Sequence, residues 1–258
     1  MDVRAHGEHE DKTPAKKATK PEEKITDFGE KLEGARKDYA STLKDAMNEA
    51  LRYWVANVQG LSVHRAVYAL DLPGFGDSDL PPGARDVDGL YQAVAQGIIQ
   101  LLGPGPHDIM GFSFGGMTAG FIAAEQPDLF AQMVLVGIPG LGLFGPRLAL
   151  RGLREDMTRD EQRDILRHNL RMFMLRHDAS ITEDTIDMQE HNIARDRLRR
   201  RRIAGGDPLI ERMPLWQCPV HTIWGECDAL YGDNLAKIPA VMSRCNHVGF
   251  HVIPDAGH

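Results

Sequence analysis

The feature that most constrains how this chain can fold is a change of grammar after Gln59 and Gly60. Downstream, short apolar runs alternate with longer amphipathic segments, the pattern of a parallel sheet whose crossovers are helices. Strands are expected at 65–70, 108–110, 132–137, 220–224 and 249–253, and helices at 87–102, 115–125 and 231–242. Residues 139–213 break the rhythm: they are rich in Arg, Met, His and Asp at helical spacing and read as a helical cap inserted over one end of the sheet. The expected fold class is therefore α/β, a mostly parallel sheet flanked by helices with a helical cap insertion. Upstream, residues 1–24 are almost free of apolar side chains and cannot offset the entropy of ordering, so a disordered charged tail is expected there. Residues 25–60 regain apolar positions at helical spacing, among them Leu43, Met47, Leu51 and Trp54, and are expected to form a helical N-terminal segment.

Composition narrows the function classes. Thirty Lys and Arg against 37 Asp and Glu leave a formal charge of −7, which supplies no global field for a polyanion. Nucleic acid is not an expected partner. No run of about 18 apolar residues occurs, and none follows the charged start, so neither a membrane partner nor a secretory signal is expected. Three cysteines, Cys218, Cys227 and Cys245, are too few for a disulfide framework and lack zinc spacing. A cytoplasmic location, no metal and no cofactor are expected.

The chemistry is concentrated in Gly111-Phe112-Ser113-Phe114-Gly115-Gly116, between an apolar run and the small-residue stretch 117–124. This is G-x-S-x-G in a strand, turn, helix setting. Gly111 and Gly115 are expected to let the backbone fold back tightly, exposing the Ser113 hydroxyl in strained geometry. The Phe114 N–H would then face the point where a carbonyl oxygen turns negative. A serine hydroxyl is a weak nucleophile without a base. His258 and Asp228 each end an apolar run, and in a parallel sheet those ends share one edge. The alternatives are Asp233 for the acid and His247 or His251 for the base, His251 within the last strand and His247 before it. Asp228 could also serve as a helix N-cap.

Four blocks resemble the α/β-hydrolase fold in its own order: 71–79, Asp-Leu-Pro-Gly-Phe-Gly-Asp-Ser-Asp; 111–116; Trp224-Gly225-Glu226-Cys227-Asp228; and Pro254-Asp255-Ala256-Gly257-His258. The resemblance covers 65–258, and the hydrolase core is expected over 61–258. It implies Ser113 as nucleophile, His258 as general base and acid, Asp228 as the carboxylate orienting the imidazole, and Phe114 as oxyanion donor. The blocks are most similar to those of small-substrate esterases, lactonases and hydrolases of carbon-carbon ring-fission products. The resemblance also implies earlier strands and a His-Gly loop that gives a second oxyanion N–H; His6-Gly7 has the letters but sits in the charged tail. A fragment or fusion product, in which the first 60 or so residues replace the family's beginning, is the corresponding expectation. Its functional counterpart is an impaired hydrolase acting at most as an interaction module.

Three further segments have expected roles. Block 71–79 lacks any phosphate-loop pattern and is expected to be a structural loop near the site mouth. The basic run 195–202 is expected to be a solvated face of the inserted helices, paired with nearby acids. Leu170, Met172, Phe173, Met174 and Leu175 are expected to form the inner face of a lid helix.

Overall fold

A computed structural model describes residues 54–198 and 201–258. The tail 1–24 and most of the expected helical segment 25–60 lie outside the described residues, whereas α1 (Val55–Ser62) falls at that segment's end. Four strands, β1 (His107–Phe112), β2 (Phe130–Val136), β3 (Val220–Gly225) and β4 (His247–Ile253), form one sheet in the order β1-β2-β3-β4. All three pairings are parallel. Every connection is therefore a crossover, and all four C-terminal strand ends meet at one edge.

Alternation along the strands decides which face packs. Met133 and Leu135 of β2 and Val220 and Trp224 of β3 are fully buried on one face. Against that face lies α3 (Phe114–Glu125), whose FGGMTAGFIAAE sequence is apolar around its circumference because it is buried nearly throughout. Outside it packs α2 (Tyr91–Leu102), with Tyr91, Val94, Ala95 and Ile98 buried at i, i+3, i+4 and i+7. The 3-10 turn Val87–Gly89 opens that helix; Asp86 caps it through the Val87 N–H and also accepts the Ile203 N–H at 2.8 Å. The expected helix at 231–242 is divided into a 3-10 stretch, Gly232–Lys237, and a short α6 (Ile238–Met242) with Pro239 in its first turn.

Between β2 and β3 the chain forms a helical hairpin of α4 (Arg159–Phe173) and α5 (Glu183–Ala194). Thr158 and Glu161 make a reciprocal capping box at the start of α4. Leu166, Leu170 and Ile186 form a small core between the two helices. At its rim the Arg163 guanidinium, only 12% exposed, bridges Glu183, Asp187 and Glu190 at 2.6, 2.5 and 2.9 Å.

Three expectations need correction. Residues 65–70 are not a strand: all but Val67 are exposed, and among the described residues their backbone makes no ladder bond, although the Arg65 side chain pairs with Asp108 of β1. A short apolar run becomes a strand only where its backbone groups find a neighbour's. His247 does not precede the last strand but opens it, because its backbone registers with Val220. Of the run 195–202, the described residues 195–198, 201 and 202 do not belong to an inserted helix. They leave α5 in irregular backbone with Leu198 buried to 1%, where Arg195 and Arg197 reach across to loop 71–79.

Candidate active site

Ser113 stands between β1 and α3 with φ 48° and ψ −120°, a conformation a side chain adopts only when its surroundings impose it. Two glycines impose it. A Cβ on Gly111 would lie 2.5 Å from the Gly116 Cα, and a Cβ on Gly116 would collide with Ile138 Cγ2 and stand 2.7 Å from the Gly111 carbonyl oxygen. Strand and helix thus touch through bare backbone. Gly115 plays no such part, because a Cβ there meets nothing within 4 Å; the packing partner of Gly111 is one residue later than the motif suggests. The Ser113 N–H donates to the Val136 carbonyl at 2.8 Å, holding the turn to β2. Phe114 begins α3, so its N–H is one of the helix's free donors, while its ring is 7% exposed.

His258 and Asp228 arrive from the neighbouring strand ends. Ser113 Oγ lies 2.9 Å from His258 Nε2, and His258 Nδ1 lies 2.8 Å from Asp228 Oδ2. Both the imidazole and the carboxylate side chains are fully buried. The remaining carboxylate oxygen of Asp228 accepts the Leu230 N–H at 2.9 Å, so the residue is a turn cap and an imidazole partner at once. Asp233 is exposed on the 3-10 stretch. His251 is exposed on β4 with its ring stacked on His221 at 6.2 Å, and His247 meets Thr222 Oγ1 at 2.8 Å. Neither histidine makes the Ser113 contact.

The imidazole is enclosed by aromatic rings. Phe112 lies 5.1 Å from it at 44°, and Phe173, the last residue of α4, stacks on it at 5.0 Å and 18°. Sequence spacing marks Phe173 as an inward-facing apolar residue, but carries no signal that it covers His258. Leu170 is buried in the cap's own core as expected, whereas Met174 and Leu175 lie beyond the helix end. The cap also grips the loop bearing His258. His177 Nε2 pairs with Asp255 at 3.0 Å, and a Cβ on Gly257 would collide with the Met174 carbonyl oxygen. Cys227 is a partly buried free thiol whose N–H donates to Ala256 at 2.8 Å. The phenol of Tyr231 donates to the Ile138 carbonyl; burial first, and the Asp228 carboxylate second, push its pKa up, so it remains a donor.

Loop 71–79 closes the front. Ser78 Oγ donates to the Asp71 carbonyl at 2.9 Å, and Phe75 brings its ring within 6.1 Å of the Phe114 ring. Beside the site a cavity of about 720 Å³ is walled by Phe112, Val136, Leu170, Met174, Ile223 and His258. Among the described residues no group of three His, Cys, Asp or Glu is placed to hold a metal ion.

This geometry can be set against known proteins. The family model of the alpha/beta hydrolase family matches residues 49–258. The chain belongs to the alpha/beta hydrolase family. This hydrolase-family chain is 27% identical over 236 residues to the dihydrolipoyllysine-residue acetyltransferase component of the acetoin cleaving system of Pseudomonas putida, covering 81% of this chain and 55% of that protein. It is 26% identical over 201 residues to a 2-hydroxy-6-oxononadienedioate/2-hydroxy-6-oxononatrienedioate hydrolase of Pseudomonas sp, covering 70% of each. The chain thus spans about half the length of the first relative and more of the second. Among solved structures it is similar to the 2-hydroxy-6-oxo-6-phenylhexa-2,4-dienoate hydrolase of Rhodococcus sp. strain RHA1, with TM-score 0.63, 18% identity, and coverage of 81% of this chain and 79% of that one. A thermophilic esterase from Thermogutta terrifontis gives TM-score 0.55 at 21% identity, covering 81% and 78%. At these identities the structural likeness is one of fold. No helix among the described residues is long and apolar enough to cross a membrane.

Proposed function

We propose that this hydrolase-family chain is a serine hydrolase acting, without a cofactor, on a small, largely apolar ester, thioester, lactone or ring-fission product. One observation carries the reading: two hydrogen bonds in series, Ser113 to His258 and His258 to Asp228, at the C-terminal edge of a parallel sheet. In the proposed cycle Ser113 Oγ–H passes its proton to His258 Nε2 as Oγ bonds to the substrate carbonyl carbon. The carbonyl electron pair moves onto oxygen, which accepts a hydrogen bond from the Phe114 N–H. Collapse expels the leaving group with the proton from Nε2; water, deprotonated by His258, then releases the acyl group and restores Ser113. Asp228 accepts the Nδ1–H throughout. Two further features support the substrate class: the apolar walls of the neighbouring cavity, whose size suits a small molecule, and the esterase and ring-fission names among the relatives. Three free thiols suit the reducing cytoplasm proposed as its location.

The test is a fluorophosphonate probe on the folded protein. Labelling of the parent but not of Ser113→Ala is the expected result; an unlabelled parent overturns the activated nucleophile. A second reading is an impaired hydrolase serving as an interaction module, whose exposed apolar surface would include Val248 of β4, 51% exposed. A cooperative melt without labelling is the outcome that selects it.

A further inference from the structure

The basic run 195–202 has an unusual destination for an acidic chain: most of its described arginines turn onto the protein rather than outward. Arg195 pairs with Asp77, and the Arg197 N–H donates to the Gly74 carbonyl at 2.9 Å while its guanidinium donates to the carbonyls of Gly76 and Ser78. Arg201 goes deeper. Its Nε donates to the Leu198 carbonyl at 3.0 Å and its Nη2 pairs with Asp196, whose other oxygen accepts the Leu198 N–H at 2.8 Å. So held, the guanidinium carbon lies 5.1 Å from the Phe75 ring centroid and 5.4 Å from that of Phe114, both within cation–π range.

Phe114 follows the proposed nucleophile, and the turn between them is strained at Ser113. Strain of this kind persists only where neighbours over-determine it. Gly111, Gly116 and Ile138 hold the turn through its glycines, and the buried Phe114 ring is its handle toward Phe75 and Arg201. Arg201 and Phe75 close on that handle.

We propose that Arg201, clamped by Asp196, is a positioning residue that holds the Phe114 main-chain N–H where the substrate's oxyanion forms. The inference rests on the serine hydrolase reading above. It explains why guanidinium is used here: a planar cation can lie on two rings while its edge is fixed by a carboxylate.

The experiment measures Arg201→Met, Arg201→Lys and the parent on p-nitrophenyl butyrate and on its thionoester, with fluorophosphonate labelling alongside. Outright loss of an oxyanion donor costs about 10²- to 10³-fold, and a displaced donor a part of it; the expected fall in kcat for Arg201→Met is about tenfold, with KM within about twofold. Sulfur accepts hydrogen bonds poorly, so the preference for the ester over the thionoester falls as well. A merely structural role would leave that preference unmoved. Arg201→Lys, keeping the charge without the planar fork, is expected to fall between. A folded Arg201→Met protein with parental kcat and parental ester preference overturns the inference while the parent's activity leaves the hydrolase reading standing. A parent that neither labels nor turns over ester overturns both. Should Arg201→Met fail to fold, Asp196→Asn, which frees the guanidinium from its clamp, takes its place: a lowered ester preference supports the inference, and a parental one overturns it.

Discussion

Ser113, His258 and Asp228 are separated by 145 and 30 positions in the chain yet bonded within 2.9 Å. All three were legible because each is marked locally: a serine bracketed by glycines before a helix, and an acid and a histidine each ending an apolar run. Their neighbours were not legible in the same way. Phe173 and Arg201 meet their partner rings through the approach of distant segments, and no spacing encodes an interplanar angle of 18°. The glycine pairing was half legible, with Gly116 rather than Gly115 meeting the strand, because the helix's rotation about its axis decides which glycine faces Gly111. At this scale the decisive prediction concerns Asp228. Asp228→Asn keeps the Leu230 cap and the side chain's shape but favours the wrong imidazole tautomer, so kcat on p-nitrophenyl butyrate should fall about 10⁴-fold with little change in melting temperature. A fall of under about tenfold would remove Asp228 from the mechanism.

The α4–α5 hairpin couples its own small core to the site, since α4 ends in the ring stacked on His258. Leu166 is 2% exposed in that core. Truncation by Leu166→Ala should cost about 2–5 kcal/mol in urea denaturation, and the loosened hairpin should lower ester turnover as Phe173 loses its seat. Unchanged turnover in a destabilised variant would show that the stack does not assist the imidazole. Four of the five expected strands are present with ends shifted by a few residues. The fifth, 65–70, is a short apolar run like the others but has no bonded neighbour among the described residues. An apolar run reports a preference for burial; it does not report whether the backbone on either flank is paired.

For the molecule as a whole, the groups with raised pKa predict behaviour in alkali. Burial first, and Cys218 second, push the Cys245 thiol from 9.0 up to about 11, and burial raises Cys218 in the same direction. A thiol raised on folding contributes stability that is fully present below its unfolded pKa and is lost as pH climbs through its folded one, because only the unfolded chain releases the proton in between. The urea midpoint should therefore drop between about pH 9 and about pH 11, and Cys245→Ala should flatten part of that slope. An unchanged slope would assign the alkaline loss elsewhere. At this scale, too, the division between chain and fold is clearest. Order, period and local motif, all short-range properties of the polymer, determined a parallel α/β sheet with a helical insertion and named the serine, histidine and acid at its edge. The stacking of Phe173, the seat of Arg201 and the absence of a strand at 65–70 were decided only when distant segments met. Contact angles and hydrogen-bond partners are properties of relative placement, and no segment carries them alone.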